Sequence, residues 1–137
     1  MVKKGASQVN VLVVDDSLVM RRMITRILRA AELPIAELYE ASDGVEALAT
    51  MSANPVDVVL TDINMPNMGG LEFLSSVRRN PAWKDIRVVI VTTDGGERRV
   101  REALRLGAAD YLKKPFSAEQ IRTKFSALVG GAVAEAS

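Results

Sequence analysis

Five short runs rich in β-branched residues, VNVLVV (9–14), AELYEA (36–41), VDVVLT (56–61), IRVVIVT (86–92) and DYLK (110–113), alternate with segments of helical period along the chain. Little freedom is left by that pattern. Near-continuous apolar strands are buried on both faces, and parallel neighbours need a crossover of a dozen or more residues, usually a helix. The reading is therefore an α/β fold, a doubly wound five-stranded parallel sheet covered by five helices. The spacing predicts those helices over 17–31, 44–53, 69–79, 96–106 and 117–129. Apolar stripes mark the buried faces: Met20, Ile24, Ile27, Leu28 and Ala31 in the first, Val100, Ala103 and Leu104 in the fourth, Ile121, Phe125 and Leu128 in the fifth. Ser17 is placed to cap the first helix, Ser117 and Gln120 to form a capping box for the fifth, and Gly107 to stop the fourth in a left-handed turn.

A chain of 137 residues makes one domain with a proper core, expected over 9–129 of 1–137, with short flexible tails at either end. Its 18 basic and 17 acidic side chains leave +1, without the excess of a nucleic-acid binder. Cysteine and histidine are both absent. That excludes a disulfide framework, a thiolate or imidazole metal site, and any phosphohistidine on this chain. The apolar run behind MVKKGASQ stops at two aspartates, too short for a signal-peptide core or a membrane span. A cytoplasmic protein with no direct nucleic-acid or membrane partner is expected.

Ligands of doubly wound sheets bind beyond the carboxyl ends of the strands. There the first strand runs into Asp15 and Asp16, the third into Asp62, the fourth into Thr92 and Thr93, and the fifth into Lys113, Lys114 and Pro115. Each has an ordinary reading: Asp16 serving a helix N-terminus, Asp62 opening a turn, the threonines filling a strand, the lysines solvated. All of them on one edge make a site. Three close carboxylates repel unless they share a cation, and Mg2+, a hard ion held by one or two carboxylates plus a phosphate, suits an all-oxygen donor set.

The stretches VLVVDDS (11–17), EASDGVEAL (40–48), VVLTDINMPNMGG (58–70), VVIVTT (88–93) and GAADYLKKPF (107–116) resemble, in order and spacing, the receiver domains of two-component response regulators, most of all the single-domain CheY-type chemotaxis regulators. The resemblance spans 9–129 and implies the strand order 2-1-3-4-5. It implies that Asp62 is the phosphoacceptor and that Asp15, Asp16, Asp62 and the main-chain carbonyl of Asn64 bind Mg2+. Thr92 matches the switch hydroxyl, Lys114 the lysine that pairs with the phosphoryl group, Tyr111 the switch aromatic, and Lys114–Pro115 a cis peptide. The implied partners are a histidine kinase or phosphotransfer protein as donor, and a downstream protein on the face of the fourth helix, fifth strand and fifth helix. Such a chain is no enzyme beyond assisting its own phosphorylation and dephosphorylation. Two positions depart from the pattern: Gly69 stands where aspartate is common, weakening the third helix's cap, and Thr93 is bulkier than the usual neighbour of the switch hydroxyl, which implies hindrance to the donor.

Arg98, Arg101 and Arg105, with Lys113 and Arg122, would make the downstream face basic; they read equally as a solvated surface with a Glu97–Arg101 pair. Arg22, Arg26 and Arg29 on the first helix are the next basic row. A flavodoxin-like electron carrier shares the fold class but needs a hydroxyl- and glycine-rich cradle where this chain has DDS. A receiver-like module that is never phosphorylated would lack an acid or the lysine, and none is lost. The chain's end after the fifth helix suits a stand-alone chemotaxis-type regulator, the alternative being an input domain trimmed from a regulator with a DNA-binding or enzymatic output.

Overall fold

The computed structural model describes residues 8–93 and 97–136, with side chains through residue 128. Strands β1 (Val9–Val14), β2 (Ile35–Ala41), β3 (Val58–Thr61), β4 (Arg87–Thr92) and β5 (Asp110–Lys113) form one parallel sheet in the order β2-β1-β3-β4-β5. Helices α1 (Leu18–Ala30), α2 (Gly44–Ala53), α3 (Gly70–Arg79), α4 (Glu97–Arg105) and α5 (Ala118–Ala136) cover it, with one 3-10 turn at Pro81–Trp83. The order puts β1, β3 and β4 inside, and these are the most apolar runs of the sequence. All four residues of β3 are buried, whereas the edge strands β2 and β5 keep exposed positions.

Because side chains alternate along a strand, each central strand feeds two cores. Leu12, Val14, Val59, Val88 and Ile90 pack with Ala47 and Met51 of α2, Phe73, Leu74 and Val77 of α3, and Ala103 of α4. Val11, Val13, Val58, Leu60, Val89 and Val91 pack with Ile24 and Leu28 of α1 and Ile121 and Phe125 of α5. Each large side chain so buried stabilises the fold by about 1.5–3 kcal/mol before entropic costs.

The helix ends follow the sequence signals. Ser17 Oγ accepts from Met20 N–H at 3.1 Å. Ser117 and Gln120 cap each other at 2.8 and 3.1 Å. Gly107 has φ 111°, and the bonds Ala108 N–H to Ala103 carbonyl and Gly107 N–H to Leu104 carbonyl close the left-handed stop.

Three expectations are corrected. β3 starts at Val58 rather than 56, because the Asp57 carboxylate itself accepts the Asn10 N–H at 2.8 Å and takes the place of a ladder bond. Leu104 is 43 % exposed rather than buried, since within Glu97–Arg105 the helix meets the sheet through Val100 and Ala103, and the next apolar contact is made by Leu106 just past its end. The backbone of α5 continues to Ala136 instead of stopping at 129. Ala132, Ala134 and Ala136 are the best helix formers and let the helix run on past Gly130 and Gly131, each of which costs roughly 1 kcal/mol relative to alanine. Residue 96, expected to open α4, lies outside the described residues, and among those described no helix is long and apolar enough to cross a membrane.

Candidate functional site

The sheet's register builds the site. Val14 pairs with Thr61, Thr61 with Ile90, and Thr92 with Lys113. Neighbouring strands lie about 4.8 Å apart, so the residues just past these pairs fall side by side at one edge. Backbone bonds fix them there: Asp15 N–H to Ala41 carbonyl at 3.1 Å, Asp62 N–H to Val14 carbonyl at 3.1 Å, and Lys114 N–H to Thr92 carbonyl at 2.8 Å.

Asp15 is buried; its Oδ1 accepts from Ser17 N–H at 2.9 Å and its Oδ2 from Lys114 Nζ at 2.9 Å. The same ammonium, itself buried, stands 3.4 Å from Asp62 Oδ2. Such charge-assisted bonds are the strong ones. The other oxygen of Asp62 accepts the next residue's N–H, from Ile63, at 2.7 Å. Asp62 thus presents Oδ2 to the lysine, and its side chain keeps 16 % exposure where that of Asp15 keeps 3 %. Asp16 is exposed, and one carboxylate oxygen from each of Asp15, Asp16 and Asp62 lies within 4.8 Å of the others. Among the described residues Asp15 and Asp62 share the ammonium of Lys114, and Asp16 adds a third carboxylate. The donor set is hard oxygen throughout and suits Mg2+.

Thr92 closes β4 and is buried, while Thr93 is exposed and borders an apolar groove of about 230 Å3 between Met20, Met23 and Ile27 of α1 and the Pro115–Phe116 segment. The Lys114–Pro115 peptide is cis. Tyr111 is 39 % exposed, with Lys124 Nζ 5.6 Å from its ring centroid. Lys124 also pairs with Asp110 at 3.0 Å.

The loop after Asp62 shows why the chain writes two glycines at 69 and 70. A Cβ on Gly70 would lie 2.1 Å from the Asp62 carbonyl oxygen, so only glycine lets α3 begin this close to the acid. Gly69 caps α3 without a side-chain bond, as its lack of a carboxylate predicts. Asp43, which the sequence reading passed over, secures the loop from the side. Its Oδ1 accepts from Glu46 N–H at 2.8 Å and its Oδ2 from Asn67 Nδ2 at 2.7 Å, with Asn67 at φ 65°. These bonds, that of Asn67 foremost, hold the Asp43 carboxyl below its usual range. The signal was present as an aspartate three residues before Glu46.

The cations divide. Arg98, Arg101 and Arg105 are exposed on α4, with Arg101 3.9 Å from Glu97. Arg122, expected with them, instead donates Nε to the Ala31 carbonyl at 3.1 Å and ties α5 to the end of α1. Asn64, exposed beside the acids, accepts from Arg99 Nη1 at 2.8 Å. No sequence motif had singled out Arg99.

A parallel sheet in this order, with an acid cluster and a buried lysine at its carboxyl edge, defines a receiver: a module that accepts a phosphoryl group and passes on a signal. Residues 11–126 match the response regulator receiver domain, and the chain belongs to that family. It is 39 % identical over 120 residues to the chemotaxis protein CheY1 of Helicobacter pylori, an alignment spanning 87 % of this chain and 95 % of that protein. Its fold is similar to that of Vibrio cholerae chemotaxis protein CheY4, with TM-score 0.79, 34 % identity, and 88 % and 98 % of the two chains covered. It is also similar to a chain in the CheX–CheY–BeF3–Mg complex of Borrelia burgdorferi, with TM-score 0.76, 30 % identity and 88 % of each chain covered. The chain is a CheY-like phosphoacceptor regulator, and proteins of this family signal rather than act as enzymes in the ordinary sense.

Proposed function

We propose that Asp62 carries the phosphoryl group, taken from a phosphohistidine of a partner kinase or phosphotransfer protein, since this chain has no histidine of its own. The observation that carries this reading is the contrast within the lysine-bridged pair: Asp15 is sealed, whereas the Asp62 side chain stays partly exposed. Oδ2 of Asp62 attacks phosphorus in line; the P–N bond of the donor breaks, its electron pair leaves with the imidazole, and an acyl phosphate remains. Lys114, already 3.4 Å from that oxygen, offsets charge on the phosphoryl oxygens. Asp15, Asp16, Asp62 and the Asn64 carbonyl would hold Mg2+, which when bound supplies further electrostatic stabilisation of those oxygens. Positioning and electrostatics do the rest.

Phosphorylation adds about 1.5–2 negative charges and three strong acceptors. Thr92 turns toward them, Tyr111 follows from its exposed position, and the face of α4, β5 and α5 changes its affinity for a downstream protein. We read residues 1–137 as a single receiver unit acting by itself in the cytoplasm, in chemotaxis-type signalling. The test is uptake from acetyl phosphate with Mg2+, where phosphorus passes to Asp62 and acetate leaves. Wild type should gain one acid-stable, hydroxylamine-labile phosphoryl group and Asp62→Asn none; label surviving in the variant would overturn the assignment.

A further inference from the structure

α4 is lightly secured. It buries Val100 and Ala103, whereas α1 buries Ile24, Thr25 and Leu28, and α3 buries Phe73, Leu74 and Val77. An element with few buried apolar contacts lies at the low end of local stability and is the kind that moves. Its first turn is held from across the sheet edge, by the bond from Arg99 Nη1 to Asn64 Oδ1 at 2.8 Å. Asn64 stands two residues beyond Asp62, so this guanidinium is bound to the loop that carries the acid. Among the described residues it has no carboxylate partner.

That resting place is a poor one for arginine. A neutral carboxamide offers one acceptor, whereas a phosphoryl group offers several oxygens that a planar guanidinium engages with two parallel bonds. The acid cluster already carries three carboxylates against the one ammonium of Lys114, and phosphorylation deepens that excess next to the only described side chain that ties α4 to the β3–α3 loop. Resting on the reading of Asp62 as phosphoacceptor, we propose that Arg99 is a further phosphoryl-binding residue. It sits on Asn64 when Asp62 is free, transfers to the phosphoryl oxygens when Asp62 is modified, and draws the first turn of α4 with it. The guanidinium thereby converts a change of charge at the sheet edge into a change of position on the readout face. A ligand shifts such an equilibrium only by its differential affinity for the two states, and the exchange of a carboxamide for a phosphoryl group is that difference.

A structural tie and a transferring one are separated by two variants. The probe is beryllofluoride with Mg2+, a phosphoryl mimic, added to the full chain, with amide hydrogen exchange of Glu97–Arg105 as one readout and probe affinity as the other. Without the probe, Asn64→Ala and Arg99→Ala should raise exchange of the first turn of α4 alike, since each removes the same bond. With the probe, Asn64→Ala should regain wild-type protection because Arg99 has moved to the mimic, while Arg99→Ala should not, and should bind the mimic on the order of tenfold more weakly. Arg99→Lys, which keeps the charge but loses the fork, should fall between. If the two alanine variants behave alike with the probe bound, or if Arg99→Ala binds it as tightly as wild type, the bond is a structural tie and the proposal is overturned. Asp62→Asn is the separate control: wild-type probe binding there would fell the acceptor reading, not the assignment of Arg99 alone.

Discussion

α1 and α4 begin at the same acid cluster from opposite faces of the sheet, and each carries a row of arginines, yet they are held by different means. α1 opens on the Ser17 cap, is pressed into the core through Ile24, Thr25 and Leu28, and sends Arg21 back to the Asp15 carbonyl at 2.6 Å. Arg21 and Arg22 also meet Glu40 of β2 at 3.1 and 3.4 Å. α4 rests on two small apolar contacts, its Glu97–Arg101 pair is exposed and of little energetic weight, and Leu104 faces solvent. The difference teaches that similar charge rows serve different ends. α1 belongs to the frame that fixes the acid pair, while α4 is the more lightly seated of the two.

The contrast can be tried first where it is largest. Leu28→Ala, in the sealed interface of α1, should lower unfolding free energy by about 2–5 kcal/mol, and Leu104→Ala on α4 should stay within about 0.5 kcal/mol, both read by urea denaturation. A large loss at Leu104 would mean that α4 is anchored as firmly as α1. Next comes the ion that would join the two sides. At about a hundredfold excess over its dissociation constant, Mg2+ should add about 2.7 kcal/mol and raise the melting temperature. Asp16→Asn should cut that gain, and an unchanged midpoint in wild type would speak against the cluster as a cation site.

A smaller effect is expected at the readout face. Arg101→Glu should weaken association with the downstream protein several-fold, more so at low salt, while acetyl phosphate still modifies Asp62. Arg26→Glu on α1 should leave both target association and modification of Asp62 as in wild type; if it weakened target binding instead, the roles of the two rows would be exchanged. The smallest signature is one of pH. Because its folded-state pKa is lowered, Asp43 contributes stability that is present above its unfolded value, about 3.8, and lost as pH falls through the lower folded value. Asp43→Ala should flatten the acid limb of the stability curve there, and an unaltered limb would remove Asp43 from the frame.

How much of this was legible in the sequence differs between the same two helices. Strand runs and their terminal charges sufficed for the sheet and for the convergence of Asp15, Asp62 and Lys114, because parallel topology alone brings strand ends together. The Ser17 and Ser117 caps are local and were readable for the same reason. Periodicity put Leu104 on the buried stripe of α4 because it reports which residues share a face, not how closely a nine-residue helix sits on the sheet. The partners of long side chains were out of reach. Arg99 meets Asn64 across 35 positions and Arg122 meets the Ala31 carbonyl across 91, and both depend on the seating of whole helices.

The central claim is that chemistry at Asp62 moves α4 and leaves α1 in place. Amide hydrogen exchange on the full chain, with and without acetyl phosphate and Mg2+, measures both helices in one sample. We expect protection to change across Glu97–Arg105, to stay constant across Leu18–Ala30, and to change in neither when Asp62→Asn is treated the same way. Equal changes in α1 and α4, or a wild-type response in Asp62→Asn, would contradict it.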